Sequence, residues 1–85
     1  MKHYEMKPAG VCSTRVAFDL DEEGRVRNTV FTNGCNGNLK AIGKLVEGRP
    51  AEEVIALLKG NTCGMNPTSC ADQFARGLEK ALAGR

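Results

Sequence analysis

The chain has 85 residues, 41% of them hydrophobic, and its 12 basic and 10 acidic side chains leave a net charge of +2. That length suits one domain with a thin core, which an added cross-link would help. The charge is too small and too evenly blended to indicate nucleic acid or an acidic membrane surface as a partner.

Tyr4 and Met6 alternate with polar residues ahead of Pro8 and Gly10, so a short edge strand is expected within residues 1–10. Alternation is cleaner towards Leu20, with Val16, Phe18 and Leu20 on one face and Arg15, Ala17 and Asp19 on the other. Asp21-Glu22-Glu23-Gly24 reads as a turn, and Arg25 to Thr32, carrying Val26, Thr29, Val30 and Phe31, as the second strand of a β-hairpin. Pairing Leu20 with Arg25 places Cys12 opposite Asn33, with Cys35 just beyond. Both thiols are then expected at the open end of the hairpin.

Asn33-Gly34-Cys35-Asn36-Gly37-Asn38 packs glycines and asparagines around a cysteine, and these residues supply positive φ and helix N-caps. After it the period becomes helical: Leu39, Ile42, Leu45 and Val46 recur on one stripe, and Gly48 stops it. Pro50 with Glu52 and Glu53 suits the start of a second helix, with Val54, Ile55, Leu57 and Leu58 as its apolar face and Gly60 as its end. Asn61 to Pro67 is a loop holding Cys63. Ser69 as N-cap with Asp72 three residues on resembles a capping box, and it opens a third helix. Phe74, Leu78 and Leu82, with Ala71, Ala75 and Ala81, form that helix's apolar stripe, which Gly84 closes. The expected fold is therefore α+β in two layers: an antiparallel hairpin or three-strand meander, then three helices packed on one face.

The first seven residues carry no apolar segment of the signal-peptide kind, and no apolar run approaches the ~18 residues that span a bilayer. A cytoplasmic location is expected, where thiols stay reduced. Four cysteines then point to metal or redox chemistry and away from a disulfide framework. Cys12, Cys35, Cys63 and Cys70 contain no Cys-x-x-Cys knuckle, so placement carries the argument. Cys35 and Cys70 each open a helix, whose N-terminus favours the metal-binding thiolate. Convergence of all four suits a tetrahedral Zn²⁺ or an iron–sulfur cluster, and separate, partly buried thiols are the alternative. A Cys63–Cys70 dithiol carrier is a third reading. The sole histidine, His3, is expected to face solvent. With no nucleophile beside a base, no phosphate loop and no paired carboxylates, a binding module is expected instead of an enzyme. Asn36, Gly37 and Asn38, beside Cys35, form the candidate contact surface for a protein partner.

Gly10-Val11-Cys12-Ser13, Gly34-Cys35-Asn36-Gly37-Asn38, Leu45-Val46-Glu47-Gly48, Cys63-Gly64 and Thr68-Ser69-Cys70-Ala71-Asp72 together resemble the TSCPD-domain family, over roughly Tyr4 to Leu82. The motif reads TSCAD here. Ala71 stands where the family has proline, and both residues suit a first helical turn. Members occur alone at about this size and as the carboxy-terminal part of some cobalamin-dependent ribonucleotide reductases. The resemblance implies an accessory or interaction module linked to ribonucleotide reduction, with a reductase as partner. The reductase reaction itself needs a radical cofactor, a nucleotide pocket and a far larger scaffold. The expected cofactor is structural Zn²⁺ on Cys12, Cys35, Cys63 and Cys70.

The chain is more distantly similar to U-type iron–sulfur cluster scaffold proteins. Cys12, Cys35 and Cys70 fall on the three scaffold cysteines. Ser13 and Thr14 stand where the scaffolds have an aspartate, and Ser69 where they often have a histidine. Cys63 supplies an additional thiol. This likeness implies an iron–sulfur scaffold or carrier as the alternative function.

Overall fold

A computed structural model describes residues 1–8, 10, 11, 13–33, 36–61 and 68–84, Asn36 by its backbone only. Within them, strands β1 (Lys2–Met6), β2 (Arg15–Leu20) and β3 (Val26–Thr32) precede helices α1 (Asn36–Val46), α2 (Ala51–Leu58) and α3 (Cys70–Ala83). The strands make one antiparallel sheet in the order β1-β2-β3, so the expected α+β order is realised with the meander in place of the lone hairpin. Tyr4 pairs with Phe18 and Met6 with Val16, which puts the apolar residues of β1 on the same face as those of β2.

The pairing of β2 with β3 differs from the sequence expectation. Leu20 pairs with Val26, not Arg25, and an irregularity between Ala17 and Asp19 shifts the register so that Arg15 meets Thr32. The cause lies in the turn. Asp21 Oδ1 accepts from the amides of Glu23 and Arg25, at 3.0 and 2.9 Å, and keeps Arg25 within the turn. Arg25 bridges to Pro50 instead. Further along β3, Asn28 takes a φ of 55°, a bulge conformation that asparagine tolerates. The bulge switches the parity of the strand, so Val26 and Phe31 both pack on the core while Val30 is 58% exposed. At the open end, Thr14 comes level with Asn33 where Cys12 was expected. Thr14 N donates to Thr32 O at 2.9 Å, and Asn33 Nδ2 to Thr14 Oγ1 at 2.8 Å.

The core lies between one sheet face and all three helices: Val16, Phe18, Leu20 and Val26 meet Val46, Ala51, Val54, Phe74, Leu78 and Ala81. Every aromatic ring of the chain joins one run through it. Tyr4 stacks on Phe18 at 5.4 Å, Phe18 meets Phe74 edge-on at 5.6 Å, and Phe74 meets Phe31 at 5.5 Å. Phe74 thus lays α3 across β2 and β3. Two leucines assigned to apolar stripes are exposed, Leu45 by 67% and Leu57 by 66%. Leu39, Ile42 and Val46 already fill the inward face of α1, and Ala51, Val54, Ile55 and Leu58 that of α2; the neighbouring leucine projects about 100° away.

Phe74→Ala should cost about 3–5 kcal/mol, because the cavity would open between two rings that cannot both follow. Against a total of about 5–15 kcal/mol this is close to unfolding, and urea denaturation measures it. Phe74→Leu is expected to cost much less.

His3 does face solvent, and it also fastens β1 to β2. Its Nδ1 lies 2.7 Å from Asp19 Oδ1 and its Nε2 3.0 Å from Glu5 Oε2, an arrangement that uses the imidazolium's two donors. Glu5 first, and then Asp19, raise its pKa above the ordinary 6.5. A raised folded pKa means the added stability is complete below 6.5 and is lost as pH rises through the folded value. In an NMR titration His3 should titrate above 6.5, and His3→Gln should remove that part of the pH dependence of melting.

Candidate functional site

The first turn of α3 gathers the buried polar groups. Among the described residues, the buried polar or charged side chains are Ser13, Ser69 and Asp72. Ser69 caps the helix as expected, its Oγ accepting from Asp72 N at 3.1 Å. The reciprocal half of the capping box takes another form. The Asp72 carboxylate accepts from Gly60 N at 2.7 Å, from Thr68 Oγ1, and from Arg76 Nε at 3.0 Å. Ser69 Oγ also donates to the carbonyl of Asn61. Ser69 and Asp72 therefore tie Gly60 and Asn61 to Thr68, the two ends of the segment that carries Cys63.

The Thr68 hydroxyl, the Gly60 amide and Arg76 together outweigh desolvation and hold the Asp72 carboxyl at about 2. A carboxylate this acidic is ionised at neutral pH and is a poor general base there. Its place in the site is to clamp backbone.

Cys70 is the first residue of α3, as the sequence predicted, and it is buried. Ser13 Oγ donates to its Sγ at 3.1 Å, across 57 residues of chain. On the other side of Cys12, a Cβ placed on Gly10 would lie 3.7 Å from Thr68 Cγ2. Both flanks of Cys12 thus lie against the start of α3. Asn33, two residues before Cys35, is bonded to Thr14 beside Ser13. Cys12, Cys35 and Cys63 themselves lie outside the described residues, as does the side chain of Asn36. Among the described residues, no three His, Cys, Asp or Glu side chains are grouped to hold a metal ion.

Gly37 and Asn38 are exposed in the first turn of α1, where the sequence suggested a turn leading into that helix. A Cβ on Gly37 would meet nothing within 4 Å, so this surface is open. A groove of about 700 Å³ runs between β1 and α3, walled by Tyr4, Met6, Phe18, Arg76, Gly77 and Lys80 among others. Among the described residues, none of the candidate site residues lines it.

Sequence reasoning missed Ser13, Gly60 and Thr68. Ser13 carried a faint signal in standing next to a cysteine. The Gly60 amide had none, because its role depends on where α2 ends relative to α3.

A family model described as the TSCPD domain matches residues 2–82. The chain belongs to the TSCPD-domain family. No curated protein matches it, and no solved structure does. The family's name-giving stretch is the α3 entry just described, and the structure gives its members separate physical work. Thr68 donates to Asp72, Ser69 caps the helix, Cys70 accepts from Ser13, Ala71 is buried, and Asp72 clamps Gly60. No described helix of this TSCPD domain is long and apolar enough to cross a membrane.

Asp72→Asn should destabilise the domain by about 1.5–3 kcal/mol, the usual range for hydrogen bonds to a charged group. The carboxyl's folded pKa lies below the ordinary 3.8, so its contribution is full above 3.8 and is lost as pH falls towards 2. Acid titration followed by circular dichroism should show a shallower loss of stability for the variant over that interval.

Proposed function

We propose that Cys12, Cys35, Cys63 and Cys70 hold one structural Zn²⁺ and that the domain works as a cytoplasmic accessory or interaction module. The observation that supports this most is the bond from Ser13 to Cys70 Sγ, which brings the neighbour of Cys12 to the helix start that Ser69 joins to Asn61. The Asn33–Thr14 bond draws the approach to Cys35 towards the same end. Ser13 thus meets Cys70 itself, Asn61 meets its neighbour Ser69, and Asn33 meets Thr14 beside Ser13.

The donor set fits the ion. Four sulfurs satisfy tetrahedral zinc, whose charge favours the deprotonated form of each. When bound, the ion cross-links the hairpin end, the α1 start, the 61–68 segment and α3. A closed four-ligand centre keeps no position for a reacting water, so the module's contribution is shape and not turnover. By family association, the partner proposed is a ribonucleotide reductase. The open first turn of α1, with Gly37 and Asn38 exposed beside Asn36, is the proposed contact.

Native mass spectrometry of anaerobically purified protein tests the centre, with one zinc per chain expected. Inorganic sulfide together with iron would establish the iron–sulfur reading in its place. Zinc bound only by the folded state adds on the order of 10 kcal/mol to folding. Chelation, and separately Cys35→Ser, should therefore lower the melting temperature markedly. Unchanged melting after chelation would remove the structural ion. Partner capture should weaken in an Asn36→Ala, Asn38→Ala double variant that melts like the wild type.

A further inference from the structure

We propose that Ser13 is a positioning residue of the cysteine centre: its buried hydroxyl donates to Cys70 Sγ and fixes that sulfur as an oriented, hydrogen-bonded ligand. This rests on the four-cysteine reading and adds a residue to it that is not itself a ligand.

Ser13 is only 2% exposed. A hydroxyl buried that far needs a partner, since leaving it unpaired costs about 1–3 kcal/mol. Among the described residues its partner is Cys70 Sγ, at 3.1 Å. A neutral thiol is a weak acceptor, whereas a thiolate accepts well and keeps that ability when bound to a metal.

The geometry is held from both sides. Ser13 is followed by Thr14, whose amide is bonded to Thr32 O and whose hydroxyl accepts from Asn33, so the donor is anchored to the end of the sheet. Cys70 is anchored by the Ser69 cap and by the burial of Ala71 and Phe74 on the same helix. The 3.1 Å contact thus joins a residue tied to the sheet end to the first residue of α3. Hydrogen bonds of this kind orient metal ligands, and their removal typically weakens metal affinity about 10–100-fold.

Cobalt substitution of the full chain provides the test, because sulfur-to-cobalt charge-transfer bands report the electron density on the ligating sulfurs. In Ser13→Ala these bands should move to longer wavelength, and cobalt and zinc should bind about 10–100-fold more weakly to the variant than to wild type. Ser13→Thr, which keeps the hydroxyl, should retain the wild-type bands. A role in packing alone would lower melting with and without metal alike and leave the bands in place. Wild-type bands and affinity in Ser13→Ala overturn the assignment, and so do shifted bands in a folded Ser13→Thr. Absence of thiolate bands in the wild type itself would instead overturn the four-cysteine reading, and Ser13's role with it.

Discussion

The contact on which the rest depends is Phe74 wedged between Phe18 and Phe31. A helix laid across a small sheet can slide or rotate unless something large locks it. Phe74 locks both, because its ring meets one ring from β2 and another from β3. Cys70 precedes it by four residues and so lies on the same helix face, one turn nearer the N-terminus. The rotation that buries Phe74 is thus the rotation that buries Cys70 and brings its sulfur under Ser13. Core packing and site geometry are set by one choice of helix orientation.

The interior is consequently of two kinds. Around Phe74 it is aromatic and aliphatic, closed by shape alone. Near Cys70 the described residues are small and polar, with Ser13, Ser69 and Asp72 buried beside Ala71 and Cys70. Small polar side chains supply little hydrophobic stabilisation, so this end depends on hydrogen bonds that are individually modest. Asp72 serves there as an ionised acceptor for a backbone amide, a hydroxyl and a guanidinium at once. Such an end is held together locally, at the junctions of chain segments, and a metal would act on those same junctions.

Much of the fold was legible in the sequence, for reasons that can be named. The alternation of Val16, Phe18 and Leu20, and the stripe of Phe74 and Leu78 behind Ser69, are one-dimensional signals that map directly onto a face. The register of β3 was not legible. It turned on Asp21 retaining the Arg25 amide and on Asn28 adopting a left-handed φ, and both are choices among conformations the residues equally permit. Leu45 and Leu57 were misplaced because each adjoins a truly buried residue, and helical spacing tolerates either neighbour until the docking angle is known. At the site, the Ser69 cap and the place of Cys70 at the start of α3 were readable from capping rules, and the burial of Cys70 was not. The Asp72–Gly60 and Ser13–Cys70 bonds join segments far apart in sequence and exist only once α2 and α3 are packed.

The register correction bears on the site itself. Had Cys12 stood opposite Asn33, the hairpin would have directed its own two cysteines at each other, and α3 would have been incidental. With Thr14 level with Asn33, two residues away from the expected partner, Ser13 becomes the first residue beyond the pairing. The chain there no longer follows the strand, and what meets it is α3: Thr68 beside Gly10, and Cys70 against Ser13. The hairpin end thus meets the last helix, whose start is bonded to Gly60 and Asn61 just past the end of α2. The sheet end, the end of α2 and the start of α3 therefore meet at this corner, and its few hydrogen bonds close long stretches of chain.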